Sequence, residues 1–222
     1  MRRFSVIIAI FLLLTSCMTS RRDEAFSSED EMRISVLLRQ GERNAIIETE
    51  TLAFQDLSDF PLNSTYSVYI QDLPQFRSSL SVYENLIASL LSQAMEGITD
   101  SLLLELDSLA INDVLSYMEA GYSSITDELE KLYHEDVENT FLSYLQENEE
   151  ALDESFALIE REARIWRENQ ANLDLVDQGR NIAPLAEITL EEIADYAASS
   201  YFRTLSEREV IQRSSLLSGG EF

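Results

Sequence analysis

Apolar residues recur at intervals of three and four over most of the chain, which is the spacing of one face of an α-helix. The clearest run extends from Val82 to Leu109, where the apolar faces overlap enough to be buried on more than one side. Similar runs follow Asp30, Ser124 and Thr189. The pattern predicts an all-α fold, a single bundle-like domain of several helices.

Residues 58–73 interrupt this helical pattern. Pro61 disfavours a continuing helix, because it lacks the backbone N–H that a helix interior needs. Aromatic and β-branched residues, which favour extended backbone, follow it at Tyr66, Val68 and Ile70. We therefore expect one short extended segment near residues 64–72.

Several residues mark where helices should begin and end. Asp72 and Pro74 predict a helix start, with the aspartate as N-cap and the proline in the first turn. Gly121 predicts a helix end, and residues 189–192 (Thr-Leu-Glu-Glu) form a capping box for the last helix. Gly41 lies inside the first helical run, where we expect it to interrupt the helix.

The N-terminus has a different pattern. Arg2 and Arg3 precede an apolar run over residues 4–14, and Cys17 closes the segment. The run is about half as long as the hydrocarbon core of a bilayer is thick, so it is too short to span a membrane. This order is typical of a bacterial lipoprotein signal, which predicts cleavage after residue 16 and lipidation of Cys17. An ordinary cleaved signal peptide with an incidental cysteine is the alternative.

Four regions follow from these patterns. They are a lipoprotein signal peptide (1–16), a lipid-anchored tether (17–29), a helical domain (30–213) and a tail expected to fray (214–222). Cys17 is the sole cysteine, which excludes an intramolecular disulfide. Packing alone must then hold the domain together.

The net charge of −25 restricts the partners that the protein can bind. Such a surface repels phosphates, so we exclude nucleic acid as a partner. A hydrophobic content of 45% is too high for a disordered acidic tail, so the chain can bury a core. Membrane attachment is expected through the N-terminal lipid, and an envelope protein is a candidate partner. The sequence does not define an oligomeric state.

Motifs in the first half of the chain occur in an order that one known family shares. Residues 39–46 contain a Gln-Gly step within a helix, and residues 59–60 (Asp-Phe) supply a turn. Residues 69–74 lead from an extended stretch into a Leu-Pro helix start. Residues 109–115 then begin a helix before a glycine-containing turn, here at Gly121.

The last helix, residues 190–213, completes this similarity. Residues at the spacing expected for that family are Tyr201, Phe202, Leu205, Glu207 and Glu209. Together these regions resemble the bacterial domain-of-unknown-function family 4197, whose members are secreted or lipid-anchored envelope proteins. The chain departs from the usual pattern at Ser199 and Ser200, which are the small residues of the last helix. It also departs at Asp127 and Glu128, which replace the aromatic pair that the family has after the middle turn. The resemblance implies an all-helical envelope domain and brings no activity and no site residues.

Motifs for common chemistry are missing from the sequence. It has no glycine-rich phosphate loop, no Gly-x-Ser-x-Gly and no His-Glu-x-x-His. His134 is the only histidine, and Glu130, His134 and Glu138 would lie on one helix face, so these three are the candidate metal ligands. An exposed histidine on a solvated helix face is the simpler interpretation. The acidic run at residues 147–154 is likewise better explained as a solvated helix face than as a Ca²⁺ loop.

These observations lead to a functional expectation. We expect an envelope lipoprotein on the periplasmic or outer-membrane face, with a non-catalytic helical domain that binds a partner or a ligand. We assign no catalytic residues and no cofactor. The alternative is an enzyme that uses carboxylates, with or without a divalent metal ion.

Overall fold

The computed structural model describes residues 28–54, 62, 66–111, 114–174, 185 and 188–219. The signal segment, Cys17 and most of the tether lie outside these residues. The chain divides into two compact units, residues 1–38 and 39–222. The described part of the first unit is the start of the first helix, and the second unit contains all the other described elements.

Seven helices account for almost all of the described residues. They are α1 (Ser28–Leu52), α2 (Ser67–Asp72), α3 (Pro74–Ser108), α4 (Val114–Glu119), α5 (Ser124–Glu147), α6 (Glu149–Asp174) and α7 (Leu190–Gly219). No strand occurs within the described ranges. The predicted all-α fold is confirmed.

Helices α5 and α7 pack along each other, and α3 packs against both α5 and α6. The core consists of the apolar faces that the sequence pattern predicts, because these side chains are removed from water when the helices meet. Fully or almost fully buried examples are Ile87, Leu91 and Met95 of α3, Phe141 and Leu145 of α5, Leu152 and Ile159 of α6, and Ala197, Tyr201 and Leu205 of α7.

The expected extended segment near residues 64–72 is wrong over Ser67–Asp72, which is the helix α2, and residues 64 and 65 lie outside the described part of the chain. Tyr66 and Tyr69 are both buried and lie three positions apart, so helical backbone turns them toward the same side. The ring of Tyr69 stacks on Phe76 at 5.2 Å and meets the edge of Trp166 at 5.4 Å. This aromatic packing outweighs the local preference for extended backbone.

Two further boundary predictions need correction. The N-cap of α3 is Leu73 rather than Asp72, although Pro74 does occupy the first turn. Helix α1 continues through Gly41 without interruption. Tertiary contacts of this helix next to Gly41 outweigh the free-energy cost of about 1 kcal/mol for a glycine inside a helix. Arg39 donates hydrogen bonds to the carbonyl oxygens of Leu106 and Leu109, which end α3.

Other boundaries agree with the sequence. Gly121, which follows α4, has φ +124°, a left-handed conformation that L-residues rarely adopt. The capping box is present, since the Thr189 N–H donates to Glu192 Oε2 at 2.9 Å and the Glu192 N–H donates to Thr189 Oγ1 at 3.2 Å.

The end of the last helix differs from the prediction. Helix α7 continues through residue 214, where we predicted a frayed tail, and ends at Gly219.

None of the helices in the described part of the chain combines the length and apolarity needed to cross a bilayer.

Candidate functional site

His134 lies on α5 where this helix faces α7, and it is half-buried rather than exposed. Its ring stacks on Phe202 with centroids 5.9 Å apart and an interplanar angle of 22°. Its Nδ1 atom is 3.8 Å from Glu130 Oε1, and its Nε2 atom is 3.7 Å from Asp195 Oδ1. The imidazole is therefore held flat on a buried aromatic ring with a carboxylate beyond each nitrogen.

The structure changes the predicted set of metal ligands. We define the His134 cluster as His134, Glu138 and Asp195, whose potential ligand atoms all lie within 4.8 Å of one another. Asp195, on α7, is the third candidate ligand in place of Glu130. Glu130 instead lies beside Nδ1, the ring nitrogen that does not face Asp195. Sequence reasoning missed Asp195 because nothing distinguishes it among 41 acidic residues before the helices are packed.

A second feature is an open cleft of about 470 Å³, which we call the acidic cleft. Helix α3, the junction of α5 with α6, and the start of α7 form its walls. The lining residues are Tyr83, Gln146, Glu149, Leu152, Asp153, Phe156, Ile188, Thr189, Leu190 and Glu191. Tyr83 and Leu152 are buried and form an apolar floor, and the rings of Tyr83 and Phe156 meet at 5.6 Å with an interplanar angle of 51°.

The mouth of the acidic cleft is negatively charged. Glu149, Asp153 and Glu191 are exposed around it, and the described lining residues include no lysine or arginine. Helices α6 and α7 both begin here, and each helix N-terminus carries only about half a positive charge. Three full carboxylate charges exceed that contribution, so the cleft attracts cations.

A third feature, which we call the buried acid–arginine cluster, joins α1, α5 and α7. Its members are Glu42, Thr126, Glu209, Arg213 and Ser124, each less than 10% exposed. Arg213 forms an ion pair with Glu209 and donates to Gly121 O at 2.8 Å and Ser124 Oγ at 3.0 Å. This arginine therefore binds both the acid beside it and the turn before α5.

Glu209 caps α5 from a distant part of the chain. The backbone N–H groups of Thr126 and Ile125 donate to its carboxylate at 2.9 Å and 3.3 Å. Ser123, the N-cap of α5, makes no side-chain capping bond. The first-turn N–H groups need an acceptor, and a carboxylate is favoured there by the helix dipole. Glu209 thus takes the role that a local capping residue usually has.

Glu42 and Glu209 titrate abnormally. Burial raises the pKa of Glu42 well above its usual range, and the charge of Glu209 and a hydrogen bond between the two side chains raise it further. A hydrogen bond that Thr126 Oγ1 donates to Glu42 at 3.2 Å acts in the opposite direction and lowers this pKa. Burial also raises the pKa of Glu209, but Arg213 and the N–H bonds of α5 oppose this. Of the two carboxyl groups, Glu42 has the pKa that burial raises further, because the N–H groups of α5 and the ion pair with Arg213 act on Glu209. Glu42 Oε2 is buried without a hydrogen-bond partner among the described residues, and this adds to the cost of a negative charge on Glu42.

The buried acid–arginine cluster is a structural feature rather than a reaction centre. Glu42 and Glu209 are both 0% exposed, so a substrate cannot touch either carboxyl while the helices remain packed. Along the chain, the only local sign of this cluster is the spacing of Glu209 and Arg213, which places them one turn apart on α7.

Comparisons with known proteins add no relative: no family model, no curated protein and no solved structure matches the chain. The resemblance to the domain-of-unknown-function family 4197 stays a prediction.

Proposed function

We propose that this protein is a lipid-anchored, non-catalytic binding domain of the bacterial envelope and that the acidic cleft holds its ligand. The ligand is an organic cation, an amine or guanidinium group on an apolar chain, carried by a small molecule or by a partner's side chain. The anchor part of the proposal rests on Cys17 and the leader before it.

The observation that carries the proposal is the pairing of an aromatic floor with an acidic mouth. Carboxylates at Glu149, Asp153 and Glu191 attract the positive charge, and the half-buried ring of Phe156, which packs on Tyr83, offers apolar area and a cation–π contact. The cleft volume of about 470 Å³ falls within the range of small-molecule sites. A cleft lined by both aromatic residues and carboxylates suits an amphiphilic cation better than a bare metal ion.

Isothermal titration of the full-length protein with agmatine and with tetramethylammonium, at constant ionic strength, tests the cleft. We expect Asp153→Asn to weaken agmatine binding by up to about fivefold, because an exposed ion pair contributes up to about 1 kcal/mol. Phe156→Leu should weaken the binding of both cations, because it removes the aromatic ring and keeps an apolar side chain.

Glu154→Gln is the matched control, since Glu154 is the exposed neighbour of Asp153 and is outside the cleft lining. Equal losses for the D153N and E154Q variants would show that only the general negative field attracts the cation, and would contradict the proposed site. Binding of a cationic peptide but not of agmatine would identify a partner's side chain as the ligand.

Membrane fractionation tests the anchor separately. The Cys17→Ser variant should move from the membrane fraction to the soluble fraction, because the thiol that carries the lipid is gone. Retention of this variant in carbonate-washed membranes would overturn the lipid-anchor proposal and leave the cleft proposal unaffected.

A further inference from the structure

The His134 cluster lies apart from the residues that line the acidic cleft and makes an independent proposal possible. We propose that His134, Glu138 and Asp195 bind one divalent transition-metal ion of the zinc class between α5 and α7. The ion would join the two helices that pack most extensively against each other.

The spacing of the donor atoms supports a shared ion. Two ligands about 2.1 Å from one Zn²⁺ in tetrahedral geometry lie about 3.4 Å apart. His134 Nε2 and Asp195 Oδ1 are 3.7 Å apart, too far for a hydrogen bond but close to that ligand separation. Glu138 lies one helical turn beyond His134 on α5, and one of its carboxylate oxygens lies within 4.8 Å of the ligand atoms of His134 and Asp195. Small rotations of the two acidic side chains complete the set.

The surroundings of His134 favour metal binding through Nε2. Stacking on Phe202, which is buried, limits rotation of the imidazole ring. Glu130 Oε1 lies 3.8 Å from Nδ1, beyond hydrogen-bond distance, and its negative charge favours the proton on Nδ1, which leaves Nε2 as the basic nitrogen. A carboxylate behind a metal-bound histidine is a recurrent arrangement that raises the basicity of the ligand. The inferred role of Glu130 is therefore positioning, not ligation.

The donor types decide the class of ion. Imidazole suits zinc and its transition-metal neighbours, whereas Mg²⁺ and Ca²⁺ prefer all-oxygen sites with more ligands. One nitrogen and two carboxylates match zinc, which takes both donor types and commonly keeps a water in the fourth position. A net charge of −25 also raises the local concentration of any cation, so a test must separate specific binding from this general attraction.

His134 provides a direct probe, because it is the only histidine in the chain. Full-length protein without a histidine tag would be titrated with Zn²⁺, and separately with Mg²⁺ at equal ionic strength, while the imidazole Cε1–Hε1 signal is followed by NMR. We expect Zn²⁺ to shift this signal to saturation at one equivalent and Mg²⁺ to leave it in place. An unchanged signal with stoichiometric Zn²⁺ would overturn the proposal.

Variants on α5 and α7 complete the test. Asp195→Asn should weaken Zn²⁺ binding by more than about tenfold, and Glu130→Gln by about tenfold through loss of the positioning contact. Glu135→Gln is the matched control, since Glu135 is exposed on the same helix and lies outside the cluster. Its Zn²⁺ affinity should equal that of the wild type. Equal weakening in the E135Q and D195N variants would mean that surface charge alone collects the ion, which contradicts a defined site. None of these residues lines the acidic cleft, so either proposal can fail alone.

Discussion

Replacing Glu42 with glutamine tests whether this buried side chain is neutral in the folded protein. Burial and the charge of Glu209 raise the pKa of Glu42 well above its usual range, whereas in the unfolded chain it has the ordinary value of about 4.3. Between these two pKa values the folded state keeps a proton that the unfolded state has released. The contribution of Glu42 to stability is therefore complete below the unfolded pKa and is lost as the pH rises toward the folded pKa.

The size of the effect follows from this linkage. Each pH unit between the two pKa values lowers the unfolding free energy by about 1.4 kcal/mol. Glu42 is 0% exposed, so solvent screening does not reduce this figure. Glutamine is neutral at every pH and keeps a donor for Glu209. We expect Glu42→Gln to match the wild type at about pH 4 and to gain on it by about 1.4 kcal/mol per unit above that.

Urea unfolding at a series of pH values, followed by far-UV circular dichroism, measures this difference. Glu207→Gln is the control, because Glu207 is exposed on α7 and its replacement changes the formal charge by the same amount. Its stability curve should run parallel to that of the wild type. Parallel curves for the E42Q variant and the wild type would refute the reasoning, since they would mean that Glu42 ionises at its ordinary pKa.

Three further substitutions test the packing and the caps. Glu209→Gln should lower the unfolding free energy by about 3–5 kcal/mol at neutral pH, because it leaves Arg213 buried without a counter-charge. A loss below about 1 kcal/mol in urea unfolding would contradict this prediction. Phe141→Ala should cost about 3–5 kcal/mol in the same assay, whereas Leu104→Ala, at a position 72% exposed, should stay within about 0.5 kcal/mol of the wild type. Thr189→Ala should cost about 1 kcal/mol in thermal unfolding by removing the capping bond, and an unchanged midpoint would show that the cap contributes nothing.

The helices were predictable where local signals agree with burial. Within the apolar run of α3, the sequence pattern correctly places residues such as Leu90, Ile98 and Leu102 in the core, and the Thr189 capping box appears where the sequence places it. Helix α2 was not predictable, because its aromatic and β-branched residues favour extended backbone locally, whereas packing of Tyr66 and Tyr69 on Phe76 stabilises the helix. Local propensity decides a short segment only when its tertiary contacts are weak.

The candidate sites were predictable only in part. His134 could be identified because it is the single histidine, and Glu138 followed from its position one turn away. Asp195 and Glu209 could not, because each acts on a residue far away in sequence and an acidic residue carries no local mark of its partner. Burial of a carboxylate is a property of the packed helices, which no spacing along one helix can specify.

The cap that Glu209 provides has a consequence for the order in which the chain folds. A ribosome releases α1 first and α7 last. The first turn of α5 is capped by Glu209, and Glu48 on α1 accepts a hydrogen bond from Gln212 at 2.7 Å. These contacts close only when the C-terminal helix has been synthesised. A chain released only as far as α6 therefore lacks both the cap on α5 and the hydrogen bond from Gln212 to α1.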